Sequence, residues 1–235
     1  MLLMLPPSEG KATPSARRAP LDLSALSFAA TLTPLRERLI AAVDPAIAQA
    51  PAAPAAEVYT GVLYARLDHA SLPAGAKRRA NRSVLIASGL WGLLAPADRV
   101  PGYKLPIDAS VDGFGTLAAA WRPLIAAALA ERDHSRELIV DCRSGGYSAV
   151  WRPSAAARVE VRAFKLKPDG GRQVISHMAK ATRGQVAREL LLAPRAPRRP
   201  ADVLALVRAA GLDAELGAPE GRGSGAAWTL DLLER

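Results

Sequence analysis

The chain of 235 residues contains one cysteine and three histidines, and this scarcity excludes several kinds of site. A single thiol, Cys142, cannot form a disulfide within the chain and cannot build a cysteine-based zinc site. The histidines lie too far apart in sequence to show the spacing of metal ligands: His69, His134 and His177. We therefore expect neither a metal nor a cofactor.

Long hydrophobic runs are also missing, which argues against a membrane segment or a secretory signal. No uninterrupted apolar stretch reaches 18 residues, and the longest Ala/Leu-rich one, around 117–130, is interrupted by Arg122 and Pro123. The apolar start Met1–Leu5 stops at two prolines and is too short for a signal-peptide core. We predict a cytoplasmic protein, a monomer, without a membrane partner.

Acidic residues are outnumbered, since 31 Lys and Arg face 22 Asp and Glu, giving a net charge of +9 and an isoelectric point near 10.3. The excess is uneven, because residues 141–208 hold 14 basic and 5 acidic side chains. Such a local excess favours a phosphate-bearing partner. Two alternatives remain open: 25 of the basic residues are Arg, which is typical of a GC-rich genome, and a charged stretch can be a solvated face.

Hydrophobic patterning mixes strands and helices without regular β–α alternation, so we predict one α+β domain over residues 1–235. Half of the residues are hydrophobic, which is enough for a core. The predicted strands are Leu2–Leu5, Leu138–Cys142 and Arg158–Ala163, the last followed by a hairpin turn at Pro168–Gly171. One helix is predicted to start with Thr33 as its N-cap and Pro34 as its first residue. Three further helices are predicted over 117–131, 176–193 and 201–210.

Polar residues follow two of these strands. The loop after the first strand carries Ser8, Glu9 and Lys11, and a lysine beside glycine amides can hold a phosphate. The strand that ends at Cys142 is followed by Arg143 and Ser144. Loops at strand ends often face a binding crevice, although a turn with solvated charges is an equal alternative.

Two further stretches of the sequence contain candidate phosphate-binding residues. Residues 84–94 are apolar around Gly89 and Gly92, which suggests either a hairpin between helices whose amides meet a phosphate, or close helix packing. A ring and two cations follow: Arg99, Tyr103 and Lys104. The helix over 176–193 opens with Lys180 and Arg183, and cations there oppose the helix dipole, which is typical of a site that needs positive charge.

Six segments occur in an order that resembles the YaaA family (DUF328, UPF0246), described as peroxide stress proteins. They are residues 5–11 (LPPSEGK), 58–61 (VYTG), 88–98 (SGLWGLLAPAD), 103–105 (YKL), 141–147 (DCRSGGY) and 179–184 (AKATRG). The resemblance implies a single α+β domain of unusual fold with a positively charged cleft, and a helix-hairpin-helix-like element that falls at Ser88–Leu94. It also implies DNA binding and a role in limiting iron-driven oxidative damage.

Two main hypotheses follow, and a third is weaker. In the first, the protein binds DNA, single- or double-stranded and without sequence specificity, through phosphate contacts in a basic cleft. That cleft would be lined by Lys11, Tyr59, Thr60, Ser88, Gly89, Trp91, Gly92, Arg99, Tyr103, Lys104, Arg143, Ser144, Tyr147, Arg152, Lys180 and Arg183. In the second, an enzyme acts on a phosphorylated or carboxylated small molecule, such as a nucleotide, with these catalytic residues: Ser8, Glu9, Lys11 and Arg143. A protein-interaction module is the third, and it rests on the Ala/Pro-rich segment 50–56 alone.

Overall fold

The computed structural model describes residues 1–131, 134, 136–152, 157–168, 171–174, 176–219 and 226–234, without the side chains of 174 and 176–178. The strands are β1 (Leu2–Leu5), β2 (Ala53–Pro54), β3 (Val84–Ser88), β4 (Gly92–Leu94), β5 (Arg99–Val100), β6 (Ser110–Val111), β7 (Gly115–Thr116), β8 (Leu138–Asp141), β9 (Ala157–Leu166), β10 (Arg172–Val174), β11 (Ala214–Gly217) and β12 (Trp228–Glu234). The helices are α1 (Ala29–Val43), α2 (Ala55–Val58), α3 (Val62–Leu67), α4 (Ala74–Ser83), α5 (Leu117–Ala130), α6 (Gly145–Ser148), α7 (Ser176–Leu192) and α8 (Pro200–Ala209).

A central eight-stranded sheet organises the fold, in the order β11–β12–β9–β8–β1–β3–β4, with β10 paired to β9. The inner strands β12, β9, β8, β1 and β3 run parallel, while β4, β10 and β11 pair antiparallel at the margins. From β1 the chain proceeds to β3 on one side, and from β8 it proceeds to β9 on the other. Ligands of open α/β sheets bind at the carboxyl ends of neighbouring parallel strands whose connections diverge, so the ends of β1 and β8 are the place to look for a site.

Apolar runs in the sequence correctly locate the buried strands. All four residues of β1 and all four of β8 are buried, as expected for inner strands of a parallel sheet with both faces covered. The hairpin predicted at Pro168–Gly171 is confirmed, because β9 and β10 pair antiparallel and the Lys167 N–H donates to the Gly171 carbonyl. Residues 169 and 170 of that turn lie outside the described residues.

Helix α1 begins five residues earlier than the capping pattern predicts. Its first residue is Ala29, after Phe28 in the left-handed conformation (φ 58°), and Pro34 lies inside the helix. The prediction of a Thr33 cap is therefore wrong. Leu32 is fully buried, so packing favours the longer helix although Pro34 cannot donate an intrahelical hydrogen bond.

Segment 50–56 is not an exposed connector. Ala52, Ala53 and Ala55 are buried, and Ala53–Pro54 pairs with Arg99–Val100 as a two-stranded sheet. The Ala/Pro composition reflects small side chains packed into the core. The hypothesis of an interaction module loses its support.

The helix-hairpin-helix-like element expected at Ser88–Leu94 is a β-hairpin. Strands β3 and β4 pair antiparallel, with Ser88 opposite Gly92. Gly92 has φ +72°, and a Cβ there would lie 2.8 Å from the Trp121 ring. Gly89 is buried as well. The glycines thus serve the turn and close packing, and a mixed α+β architecture is confirmed without the helical hairpin.

Among the described residues, no helix is both long and apolar enough to cross a membrane.

Candidate functional site

Loops from several parts of the chain converge above the carboxyl ends of β1, β3 and β8. The loop after β1 pairs with the segment after α2 through a bridge between Lys11 and Tyr59. We call this region the carboxyl-edge site. It comprises Ser8, Glu9, Lys11, Tyr59, Thr60, Tyr64, Ser88, Tyr103, Tyr147 and Lys180.

Hydrogen bonds fix the loop that follows β1. The Ser8 hydroxyl donates to the Gly10 carbonyl and accepts from the Thr60 N–H at 3.0 Å. The Ala12 N–H donates to the Val58 carbonyl at 2.8 Å. The loop is therefore held in a defined shape, and the Ser8 hydroxyl has a structural role in it.

Lys11 is a half-buried amine on an aromatic floor. Its Nζ donates to the Ser8 carbonyl at 2.8 Å and lies 4.3 Å from the centroid of the Tyr103 ring. Burial lowers the pKa of Lys11 to about 8, although the nearby Glu9 carboxylate opposes the shift. An amine with this pKa carries a poorly solvated charge near neutral pH, which suits it to anion binding or proton transfer.

All four tyrosines of the chain lie in this site. Tyr59 and Tyr103 share a hydrogen bond of 3.0 Å between their hydroxyls, and Tyr103 bonds the Ser88 hydroxyl at 2.6 Å. Tyr64 donates to the Pro6 carbonyl at 2.7 Å. Burial raises the pKa of each ring hydroxyl, to about 12 for Tyr147. The floor is therefore neutral at physiological pH.

An ion pair crosses the rim of the site. The Glu9 carboxylate meets Lys180 Nζ at 2.8 Å, and these side chains are 91% and 50% exposed. The hydrogen bond and charge of Lys180 lower the pKa of Glu9. Lys180 belongs to α7, which is anchored by buried residues such as Ala179. The positive charge predicted near the start of this helix thus reaches the site.

Three predicted arginines are used elsewhere. Arg143 makes a two-pronged ion pair with Asp141, its closest contact 2.8 Å, and its side chain is 1% exposed. Arg183 donates to the Val161 carbonyl, and Arg99 donates to a carbonyl near β2. Arg143 is therefore a structural residue rather than an accessible anchor.

The remaining predicted residues divide between surface, interior and a separate groove. Lys104 and Ser144 are exposed, and Lys104 follows Tyr103 directly in the chain. Trp91 is fully buried, with its ring edge on Tyr103. A groove of about 270 Å³ along β9 contains Arg152; its other polar lining residues are Arg158, Glu160, Arg162 and Thr229.

The basic stretch 141–208 is largely tied into the fold. At least nine of its 14 cations contact a carboxylate or a backbone carbonyl: Arg143, Arg158, Arg162, Arg172, Lys180, Arg183, Arg188, Arg199 and Arg208. Several of the acidic partners lie outside the stretch, as Asp231 and Glu215 do. Most of the basic side chains that the structure describes in this stretch are therefore held by contacts within the fold.

The lone thiol of the chain is enclosed in the core. Cys142 is fully buried, and burial raises the pKa of its thiol to about 12. Within the part of the chain that the structure describes, no three His, Cys, Asp or Glu side chains are grouped to hold a metal ion.

Sequence reasoning missed two residues. Tyr64 stacks on Tyr59 at 5.4 Å between ring centroids, and Asp141 holds Arg143. The rarity of tyrosine was a usable signal for Tyr64, because the other three were already among the candidates. The adjacency of Asp141 and Arg143 at a strand end was a usable signal for an internal pair.

Comparisons of the sequence with a family model and with curated relatives point to the same family. A family model described as "Peroxide stress protein YaaA" matches residues 1–211, which contain the whole carboxyl-edge site. A UPF0246 protein of Streptomyces coelicolor is 38% identical, over 99% of this chain and 98% of its own length. A UPF0246 protein of Corynebacterium efficiens is 35% identical over 94% and 97%, and one of Corynebacterium glutamicum is 32% identical over 92% and 95%.

Proposed function

The chain belongs to the family of the peroxide stress protein YaaA, and from this membership we propose that it acts in the peroxide stress response through its carboxyl-edge site. The site lies at the carboxyl ends of β1 and β8, where the connections of neighbouring parallel strands diverge. Strand ends of this kind are where α/β proteins bind small ligands.

The ligand we propose is a phosphorylated or carboxylated small molecule. Lys11 carries the proposal, because a half-buried amine with a pKa of about 8 above neutral rings favours a negatively charged group. Lys180 supplies a second amine from α7. It takes the place of Arg143, whose guanidinium is enclosed by its pair with Asp141.

Calorimetric titration with pyrophosphate, AMP and citrate tests this function. We expect at least one of the three to bind the wild-type protein, and Lys11→Met to weaken that binding about tenfold or more, since a charge-assisted contact is lost. Lys77→Met is the matched control, because Lys77 is a lysine of α4 that bonds the Ala70 carbonyl. Equal affinities of the two variants, or no binding of any probe, would contradict the proposal.

DNA binding is the second candidate. The observation that favours it is the exposure of Lys104 and Arg152, which leaves both cations accessible to a phosphate backbone. Under this candidate the protein limits iron-driven damage by covering DNA. Fluorescence anisotropy with a labelled 20-base-pair duplex is the test. We expect Lys104→Met to weaken binding by a similar factor on unrelated sequences, as loss of a phosphate contact does. Affinity no greater than that of an unrelated protein of equal charge would exclude this candidate.

A further inference from the structure

Glu9 lies where an anionic ligand of the carboxyl-edge site would sit. Its carboxylate contacts the Lys180 amine at 2.8 Å and interacts electrostatically with Lys11. The two amines come from distant segments of the chain, and the Glu9 carboxylate contacts the amine of Lys180 while lying within electrostatic range of that of Lys11. An exposed carboxylate paired with an amine has the same chemistry as a bound carboxylate or phosphate oxygen.

We propose that Glu9 is an internal competitor that occupies the anion position next to Lys11 and Lys180 until a ligand displaces it. This inference rests on the proposed function, since it concerns the same site and the same class of ligand. It adds that the anion position is occupied by a carboxylate of the same loop.

The ion pair between Glu9 and Lys180 is weak enough for an anionic ligand to displace the carboxylate. The Glu9 side chain is 91% exposed, and a solvent-exposed ion pair contributes little to stability. The rest of the loop keeps its shape without Glu9, because the Ser8 hydroxyl and the Thr60 N–H hold it through separate hydrogen bonds. The carboxylate can therefore rotate into water while Lys11 stays over Tyr103.

The alternative is that Glu9 belongs to the binding machinery, for example as a general base. The two roles predict opposite effects of neutralisation. If Glu9 is a competitor, its removal strengthens binding of an anion. If Glu9 contacts the ligand favourably, its removal weakens binding.

Glu9→Gln distinguishes these roles, because it keeps the shape of the side chain and removes its charge. We expect Glu9→Gln to bind pyrophosphate about two- to fivefold more tightly than the wild type, the factor that loss of one exposed ion pair corresponds to. Glu215→Gln is the matched control, since Glu215, on the outer strand β11, also forms an exposed ion pair, with Arg172 of β10, and its loss changes the net charge equally. The control is expected to leave the affinity unchanged.

A double-mutant cycle assigns the effect to Lys180. In a Lys180→Met background, Glu9→Gln is expected to change the affinity for pyrophosphate much less, because the competing pair no longer exists. The same enhancement in both backgrounds, an equal enhancement by Glu215→Gln, or weaker binding by Glu9→Gln would overturn the inference. Pyrophosphate binding by the wild type that depends on Lys11 would leave the proposed function intact in each of those cases. Absence of binding by both the wild type and Glu9→Gln would overturn the inference and count against the proposed function.

Discussion

At the scale of single residues, the environment of Lys11 determines its chemistry. The ordinary pKa of a lysine amine is 10.5, and burial in the folded chain lowers that of Lys11 to about 8. Between these two values the unfolded chain binds one more proton at this residue than the folded chain does. Folding stability contributed by Lys11 therefore rises with pH in this window, because stability increases wherever the unfolded state holds more protons.

The rise of this stability contribution with pH gives a prediction for Lys11→Met. The free energy of unfolding of the wild type minus that of the variant is expected to rise between pH 8 and 9.5 and to stay level between pH 6 and 7. Urea unfolding followed by circular dichroism at half-unit steps measures it. A difference that is flat or falling above pH 8 would mean that the amine is solvated in the folded protein.

The place of the β1 loop could be predicted from the sequence, and the direction of the Arg143 side chain could not. Ser8, Glu9 and Lys11 follow the end of β1, as the apolar run Leu2–Leu5 predicts. Arg143 has the same sequence setting, but its side chain turns back onto the strand that precedes it. The direction in which a side chain leaves a strand end depends on what fills the space on each face, and no local pattern encodes that.

At the scale of elements, one buried arginine organises the β3–β4 hairpin. Arg36 of α1 is fully buried and donates to the carbonyls of Trp91, Leu93 and Ser27 at 2.9–3.0 Å. The guanidinium thereby satisfies carbonyls on the hairpin that ends the sheet. This contact also ties α1 to the sheet, which the pattern of α1 alone does not show.

Arg36→Met is expected to lower the free energy of unfolding by about 2–4 kcal/mol, because buried carbonyls lose their donors while the volume is kept. Arg38→Met, at an exposed position of the same helix, is expected to cost less than about 1 kcal/mol. Thermal or urea unfolding of both variants measures the difference. Equal losses would show that Arg36 contributes no more than a surface residue.

Helix packing gives a second prediction at this scale. A Cβ at Gly184 of α7 would overlap the Leu63 carbonyl oxygen of α3, so Gly184→Ala is expected to destabilise the fold by about 1–3 kcal/mol. At Gly75 of α4 a Cβ would meet no atom within 4 Å, so Gly75→Ala is expected to stabilise by about 0.5–1 kcal/mol. Opposite signs in urea unfolding would confirm the close approach of α3 and α7.

Sequence patterns located some elements and missed others for identifiable reasons. Apolar runs as continuous as Leu2–Leu5 leave little choice but an inner strand. The run from Val84 to Leu94 is equally apolar but contains turn-forming glycines, so local pattern did not distinguish a helical hairpin from a β-hairpin. Pairing of β3 with β1, which lies about eighty residues away in the chain, decides between them.

At the scale of the whole molecule, charge counted along the chain differs from charge arranged in space. Arginine side chains serve here as donors to carbonyls and as partners in ion pairs: Arg79 and Arg188 bind carbonyls next to helix ends, while Arg162 and Arg172 share Asp231. A planar, permanently charged donor suits this structural use. A high isoelectric point is thus compatible with a site that holds few free cations.

This arrangement sets the salt dependence expected if the second candidate, DNA binding, is correct. Six engaged cations would give a slope of log affinity against log salt of about −5, at about −0.9 per phosphate contact: Lys11, Lys104, Arg143, Arg152, Lys180 and Arg183. Arg143 and Arg183 are bonded internally, which leaves Lys11, Lys104, Arg152 and Lys180, so we expect about −3 to −4. Anisotropy titrations from low to moderate salt measure the slope, and Arg152→Met should reduce its magnitude by about 1. A slope of about −5 or steeper would show that Arg143 and Arg183 also contact DNA, and a slope near zero would leave the carboxyl-edge site to small anions alone.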